Sequence, residues 1–223
     1  MTGLKNLFVV FLMLGSICGH AQMRFGFATD LSVMHNFSPD QEFWCVGQTV
    51  QLNYHFNQKQ TAYAWLNYYT PAKFRNEFNA TAKLPNTVPS VIPFSAAATW
   101  KTGQVSIGWK HYFKGGCDVE NGFNLYGIAG FGLMTTKVEN ILTPAIDTSL
   151  YTVSTLAGSD KIYRLTLDLG AGVEFPVGGS FFIYGDLRTW LPTSDYPSPY
   201  LHNNKNVPLP VILCTGLRIL FGN

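Results

Sequence analysis

From Lys161 to Phe175 the chain alternates without interruption. Tyr163, Leu165, Leu167, Leu169, Ala171, Val173 and Phe175 fall on one parity, and Arg164, Thr166, Asp168, Gly170, Gly172 and Glu174 on the other. A period of two is that of a β-strand, whose successive side chains point to opposite faces, and no helix can present this pattern as one apolar stripe. Similar alternation recurs in segments of strand length along the rest of the sequence, and the intervals between them are alternately short and long. Such a chain must bury or shield one complete face of every strand.

Composition says what covers that face. Hydrophobic residues make up 47% of the chain and aromatics 15%, but charged residues only 13%, against about 25% in an average soluble domain. Beyond the N-terminal segment there is no run of about 18 apolar residues, so a helical span is not expected. Strands can cross lipid only as a closed barrel, because every backbone N–H and C=O must be paired within the protein. The expected fold is all-β: one eight-stranded antiparallel transmembrane β-barrel of up-and-down meander topology, its lumen filled by side chains. A secreted soluble barrel of the lipocalin kind would show the same period with the apolar face turned inward. The low charge fraction and the distribution of loops and aromatics favour the membrane form.

The expected strands are 24–36, 44–56, 61–70, 102–113, 123–135, 161–175, 181–191 and 209–221. The segment 71–98, with Pro71, Pro85, Pro89 and Pro93, reads as a long loop, and so do 136–160 and 192–206. Connections after the second, fourth and sixth strands are tight, and three of the other four are long. This is the asymmetry of outer-membrane barrels, with short periplasmic turns and longer extracellular loops, and it puts both termini in the periplasm. Phe25, Tyr54, Phe56, Phe113, Phe123, Phe175, Phe181 and Phe221 fall at the periplasmic ends of these strands and Trp44, Tyr68 and Tyr163 at the outer ends, as interfacial aromatic girdles should.

The first residues read as an export signal: Lys5, an apolar stretch from Leu7 to Leu14, and Gly19-His20-Ala21, giving a signal peptide over 1–21, cleavage after Ala21 and a barrel domain over 22–223. Cys18 follows Gly15-Ser16-Ile17, whose β-branched final residue argues against lipidation. Cys45, Cys117 and Cys214 lie at unrelated depths and are expected as separate thiols rather than a disulfide framework. No CxxC pair or histidine cluster suggests a metal, and no cofactor is expected. A net charge of +2 is too small to imply nucleic acid as a partner.

The polar parity places Arg24, Asp30, Lys110, Arg164, Asp168, Glu174, Asp186, Arg188 and Arg218 in the lumen. An eight-stranded cylinder has room only for its own side chains, so these charges must pair, and a wide aqueous pore is excluded. Arg164 or Arg188 could meet Asp168 or Asp186, and Arg218 could reach Asp186 or Asp30. An enzyme of the outer rim would need a nucleophile, a base and an orienting group. His35, Ser38, Asp40 and His202 are the available residues, but they show no recognisable spacing, so none is expected to be catalytic. Two surfaces could take a protein partner. One is the lipid-facing wall at Gln48, Gly127, Ala129, Ala171 and Gly185, where small residues permit close approach. The other is the apolar material of the 71–98 segment, Phe74, Phe78, Ile92 and Phe94.

The glycine-rich run Leu125-Tyr126-Gly127-Ile128-Ala129-Gly130-Phe131-Gly132, the segment Leu169-Gly170-Ala171-Gly172-Val173-Glu174-Phe175-Pro176 and the closing Gly216-Leu217-Arg218-Ile219-Leu220-Phe221 together resemble the small outer-membrane β-barrel proteins of Bacteroidota, similar in outline to the PorT-like and OmpW-like groups. The resemblance covers the expected mature chain. It implies an integral outer-membrane protein in contact with lipid, inserted by the barrel-assembly machinery through a final strand ending at Phe221, although Gly222 and Asn223 follow that aromatic here. It implies no catalytic site. The favoured role is a structural or accessory subunit of a secretion or assembly complex; the alternative is a narrow channel or binding protein for small solutes, and an outer-membrane lipid-modifying enzyme is the least favoured.

Overall fold

The structure is a computed structural model that describes residues 24–193, 198–202 and 209–222. The expected signal peptide, its cleavage site after Ala21 and Cys18 lie outside the described residues. Among the described residues there are ten strands: β1 Arg24–Asn36, β2 Phe43–His55, β3 Gln60–Tyr69, β4 Ala72–Ala82, β5 Val91–Lys114, β6 Asn124–Thr143, β7 Tyr151–Thr152, β8 Gly158–Gly178, β9 Phe181–Pro192 and β10 Pro210–Phe221. There is no helix among the described residues.

The strands follow the order β3-β2-β1-β10-β9-β8-β6-β5, and β5 pairs back onto β3, closing a ring of eight antiparallel strands. Closure removes every free edge within the ring. The first and last strands meet in register, from Phe25 opposite Phe221 to Asn36 opposite Pro210, so the ring's first and last residues share one rim.

The apolar parity points outward on all eight strands. Leu31 is 69% exposed, Ile107 65%, Phe131 67%, Leu165 62% and Leu213 63%, while their sequence neighbours of opposite parity, such as Asp30, Ser106, Thr166 and Cys214, are buried. This orientation is the reverse of a soluble barrel and disposes of the lipocalin alternative, because a continuous apolar belt facing water would be untenable. At the rim shared by the strand ends, aromatics form a chain of contacts: Phe25 to Tyr54 (5.3 Å), Tyr54 to Phe56 (4.7 Å) and Phe56 to Trp109 (4.9 Å).

The expectation of loops over 71–98 and 136–160 is overturned. The first holds β4 and the beginning of β5; the second holds the end of β6, then β7 and the start of β8. About 9–11 residues suffice to cross a bilayer as a tilted strand, whereas β5 has 24 residues, β6 20 and β8 21. These strands run far past the ring and carry a sheet beyond it, with β4 pairing to the upper half of β5 from Ala72 opposite Trp100 to Thr81 opposite Val91. The prolines do not oppose this. Pro71 precedes β4, Pro85 and Pro89 sit in the hairpin turn, and Pro93 lies in the part of β5 paired on the β4 side alone, since β6 joins only at Ser95. One-sided pairing is where a strand tolerates a residue without an N–H. Phe74, Phe78, Ile92 and Phe94 are therefore strand residues and not loop residues. Phe94 is buried with Ala80, Ala96, Leu142 and Tyr151 in a separate core, against which Phe78 and Ile92 pack.

Candidate functional site: a sealed lumen

Closing eight strands forces the polar parity of each into one narrow interior. Arg188 on β9 donates to Asp186 on the same strand through Nε (3.0 Å) and Nη2, and reaches Asp30 on β1 through Nη2 (3.1 Å). Tyr184 donates to the same Asp30 oxygen at 3.0 Å, and Tyr126 on β6 donates to Asp186. The guanidinium lies 4.6 Å from the centroid of the Trp65 ring, so its face is packed as well as its edge. Both carboxylates and the arginine are buried. An ion cluster in that environment persists only with dense hydrogen bonding of the kind these tyrosines supply.

A second cluster lies nearer the rim of the strand ends. Arg218 on β10 grips Glu174 on β8 with two parallel bonds, Nε to Oε2 and Nη2 to Oε1, each 2.7 Å. This is the fork geometry that makes arginine specific for carboxylates. Asn124 donates to Glu174 Oε1 at 2.9 Å, and the Phe182 ring stacks 4.0 Å from the guanidinium carbon. Arg218 Nη2 also donates to the backbone carbonyl of Cys117 at 2.7 Å, drawing the turn after β5 into the barrel. Cys117 is buried there, its N–H bonded to the Gln58 carbonyl at 2.9 Å. Asp118 beside it pairs with Arg24 and accepts from Gln58 Nε2 at 3.3 Å. Burial pushes the Asp118 carboxyl up, but the Arg24 hydrogen bond and charge together with Gln58 outweigh it and hold the carboxyl below its usual range. Burial, reinforced by Asp118, pushes the Cys117 thiol up.

The remaining lumen residues are placed differently from the pairings expected. Asp168 is held by neutral donors: it accepts from Gln104 (2.7 Å), Thr166 (2.8 Å) and Ser106. Lys110 is buried with its ammonium 4.2 Å over the Tyr126 ring and 5.8 Å from that of Tyr184. Arg164 is half-buried, with a guanidinium bond to the Tyr163 carbonyl at 3.3 Å. Arg218 takes Glu174 in place of Asp186 or Asp30, and Arg24 stands at the rim with Asp118. Sequence reasoning missed Asn124, Tyr126 and the Cys117 carbonyl, and it put Tyr184 and Gln104 on the polar parity without assigning them as hydrogen-bond partners of the charges. The two tyrosines carry a legible signal, since each is an aromatic standing on the polar parity of its strand.

The opposite end of the lumen is closed by apolar packing. Met34, Phe43, Trp100, Met134, Trp190 and Ile212 form one buried cluster with Leu201 from the last connection, together with Cys45 and Cys214. The cavity among Met34, Phe43, Trp100, Met134 and Trp190 has a volume of about 20 Å³, room for about one water. Cys45, Cys117 and Cys214 are buried free thiols, as expected.

The rim residues weighed for catalysis are engaged structurally. His35 is buried between Trp44 (stacked, 4.0 Å) and Phe37 (edge-on, 4.0 Å), with Nδ1 3.0 Å from the Phe43 carbonyl. The Ser38 carbonyl accepts from the Gln41 N–H in the β1–β2 turn, and Asp40 Oδ2 is 3.9 Å from His202 Nε2. No group of three or more metal-ligating side chains occurs among the described residues.

The candidate partner wall divides in two. Gln48 and Gly185 line one shallow groove with Leu31, Tyr68, Leu213 and Thr215, and Gln48 donates to Thr29 Oγ1 at 3.3 Å. Gly127 pairs with Ala171, and Ala129 follows on the same face, but Gly127 is covered: a Cβ there would stand 3.0 Å from the Phe113 ring. The ring shields backbone that glycine leaves bare.

No protein-family model and no curated protein matches the sequence. Solved structures do match in fold. The outer membrane protein OprG of Pseudomonas aeruginosa aligns with a TM-score of 0.53 at 10% identity, covering 92% of this chain and 99% of that one. Neisserial surface protein A aligns at 0.52 with 14% identity, over 88% and 97%. The N-terminal β-barrel domain of Pseudomonas aeruginosa OprF aligns at 0.50 with 10% identity, over 90% and 100%. At these identities the likeness is one of architecture, a small closed antiparallel barrel.

Proposed function

We propose that this protein is a non-enzymatic, integral outer-membrane barrel that serves as a structural or accessory subunit and presents its outer sheet to a partner. The observation that carries this reading is the contrast between the two ends of the molecule. The lumen is stoppered by Arg218, Glu174 and the Cys117 turn at one end and by the tryptophan cluster at the other. Beyond the ring, by contrast, the chain builds a sheet with a core of its own around Phe94 and Leu142. A rigid projecting surface suits recognition, and a packed lumen does not suit transport.

The outward apolar belt, the aromatic rim and the architecture shared with OprG and Neisserial surface protein A support the outer membrane as its location. Both termini are then periplasmic, the β4–β5 hairpin is extracellular, and β10 with Phe221 supplies the assembly signal. Kinship with the Bacteroidota barrels and a place in a secretion or assembly complex rest on the glycine-rich and closing segments of the sequence.

Gentle-detergent purification from native outer membranes followed by mass spectrometry tests this directly. A stoichiometric companion that is lost when 83–90 is replaced by a Gly-Ser turn supports the reading. A large conductance of the purified protein in planar bilayers overturns it in favour of the small-solute channel.

A further inference from the structure

On three adjacent strands the outward column of side chains changes character at the same register. It runs Ile107, Val105, Gly103, Lys101 along β5; Phe131, Leu133, Thr135, Lys137 along β6; and Leu167, Leu165, Tyr163, Lys161 along β8. The pairing is direct: Lys101 stands opposite Lys137, and Lys137 opposite Lys161. One position below, Gly103, Thr135 and Tyr163 form the equivalent row, and Tyr68 of β3 pairs with Gly103. Tyr68 is 62% and Tyr163 53% exposed, which marks an aromatic girdle immediately beneath the lysines.

Neighbouring strands lie about 4.8 Å apart, so three lysine positions occupy roughly 10 Å of the outer wall where the apolar belt ends. Like charges directly opposite each other on paired strands repel, and strand pairs ordinarily avoid them. Two such pairs in one row are unfavourable for the barrel alone and favourable around a shared anion. The groups that face the row are few. Glu139, one position further out on β6, takes a hydrogen bond from Lys137, and its carboxyl is held below its usual value by Lys137 with a smaller contribution from Lys101. Lys161 Nζ lies 5.1 Å from the Tyr163 ring. Lys73 of β4 pairs with Thr99, the next outward position of β5 beyond Lys101, and Asp160 accepts from the Lys161 N–H at 2.8 Å; four lysines against two carboxylates leave the row positive.

We propose that Lys101, Lys137 and Lys161 bind the phosphate-bearing headgroup of an anionic lipid in the leaflet that surrounds this end of the barrel. Height selects a lipid over a soluble anion: the row sits directly above the aromatic girdle, where lipid phosphates lie, with acyl chains against Val105, Leu133 and Leu165 below. The assignment rests on the membrane reading given above. It gives the extended β5–β6–β8 wall a role in fixing the depth of the barrel.

The test reconstitutes the full-length protein into phosphatidylcholine nanodiscs containing a minor fraction of lipid A, extracts it gently and counts retained lipid by native mass spectrometry. Selective retention of lipid A is expected. Lys101→Gln/Lys137→Gln/Lys161→Gln should lower it at least about tenfold, given on the order of fivefold per lysine. The three Lys→Arg changes should preserve it, as should Lys83→Gln, which removes charge at the far end of the outer sheet, where Lys83 donates to the Thr148 carbonyl. Equal retention by wild type and the triple glutamine variant overturns the proposal, and so does displacement of the lipid by inorganic phosphate at modest concentration. Folded insertion is scored separately by heat-modifiable gel mobility. A protein that fails to insert overturns the membrane reading and this inference together, whereas insertion without selective retention overturns the inference alone.

Discussion

Replacing Arg218 with methionine probes the seal of the lumen most directly. Methionine keeps much of the volume and the contact with Phe182, but it removes both bonds to Glu174 and the bond to the Cys117 carbonyl, each of 2.7 Å. Glu174 is left buried with Asn124 as its hydrogen-bond donor. Breaking a buried pair in this way costs about 3–5 kcal/mol, or roughly 10²- to 10⁴-fold in the folding equilibrium. Arg218→Met combined with Glu174→Gln should recover most of that loss, because a neutral amide has little to lose by burial beside Asn124. The assay is urea-dependent folding into lipid vesicles, comparing midpoints at constant slope. A second readout is maleimide labelling of Cys117, which is buried in the native barrel and should become reactive once the turn is released. A single-variant loss below about 1 kcal/mol would match a solvent-reached ion pair and refute the argument that this end of the lumen is closed.

Other consequences are equally open to measurement. Because the folded Asp118 carboxyl lies below its ordinary value of 3.8, its contribution is present above the unfolded pKa and disappears as pH falls through the lower folded one. Wild type should therefore lose stability from about pH 4 downward, while Asp118→Asn is flatter there; coincident profiles would disprove the pairing with Arg24. Gly108→Ala should destabilise by about 1–3 kcal/mol, since its Cβ would stand 2.4 Å from Tyr63 OH and 2.5 Å from the Ala129 carbonyl. Gly185→Ala, whose nearest neighbour is 3.7 Å away, should change little, and equal effects in vesicle unfolding would contradict the packing. Phe94→Ala empties the separate core of the outer sheet. It should make the β4–β5 hairpin susceptible to protease while the barrel keeps its heat-modifiable mobility, and joint loss of both would show that the sheet and ring fold as one unit.

Much of the ring was legible in the chain because a lipid-facing strand obeys two rules at once: period-two alternation and a nearly pure apolar face. The alternation in β8 and the aromatics at Phe25, Tyr54 and Phe221 needed no tertiary information. The outer sheet was misread for a physical reason. Outside the belt one face meets water, so β4 alternates Phe74, Asn76 and Phe78 with Lys73, Arg75 and Glu77 at low contrast, and nearby prolines obscure it. The signal was present in that parity.

Which residues stand in the lumen followed from parity alone, and seven of the nine expected charges, Asp30, Lys110, Asp168, Glu174, Asp186, Arg188 and Arg218, are buried there. Of the pairings expected, Arg188 with Asp186 forms, but the other matches did not follow. Parity assigns a face, but pairing depends on the stagger with which the ring closes, a quantity set by all eight strands together. That stagger brings Arg188 to Asp30 across β10 and Arg218 to Glu174 across β9. It also draws the Cys117 turn inside, where a backbone carbonyl, invisible to any reading of side chains, completes the seal. The sequence alone determined that the chain must close on itself with its charges inward; only the closed ring decided how those charges are matched.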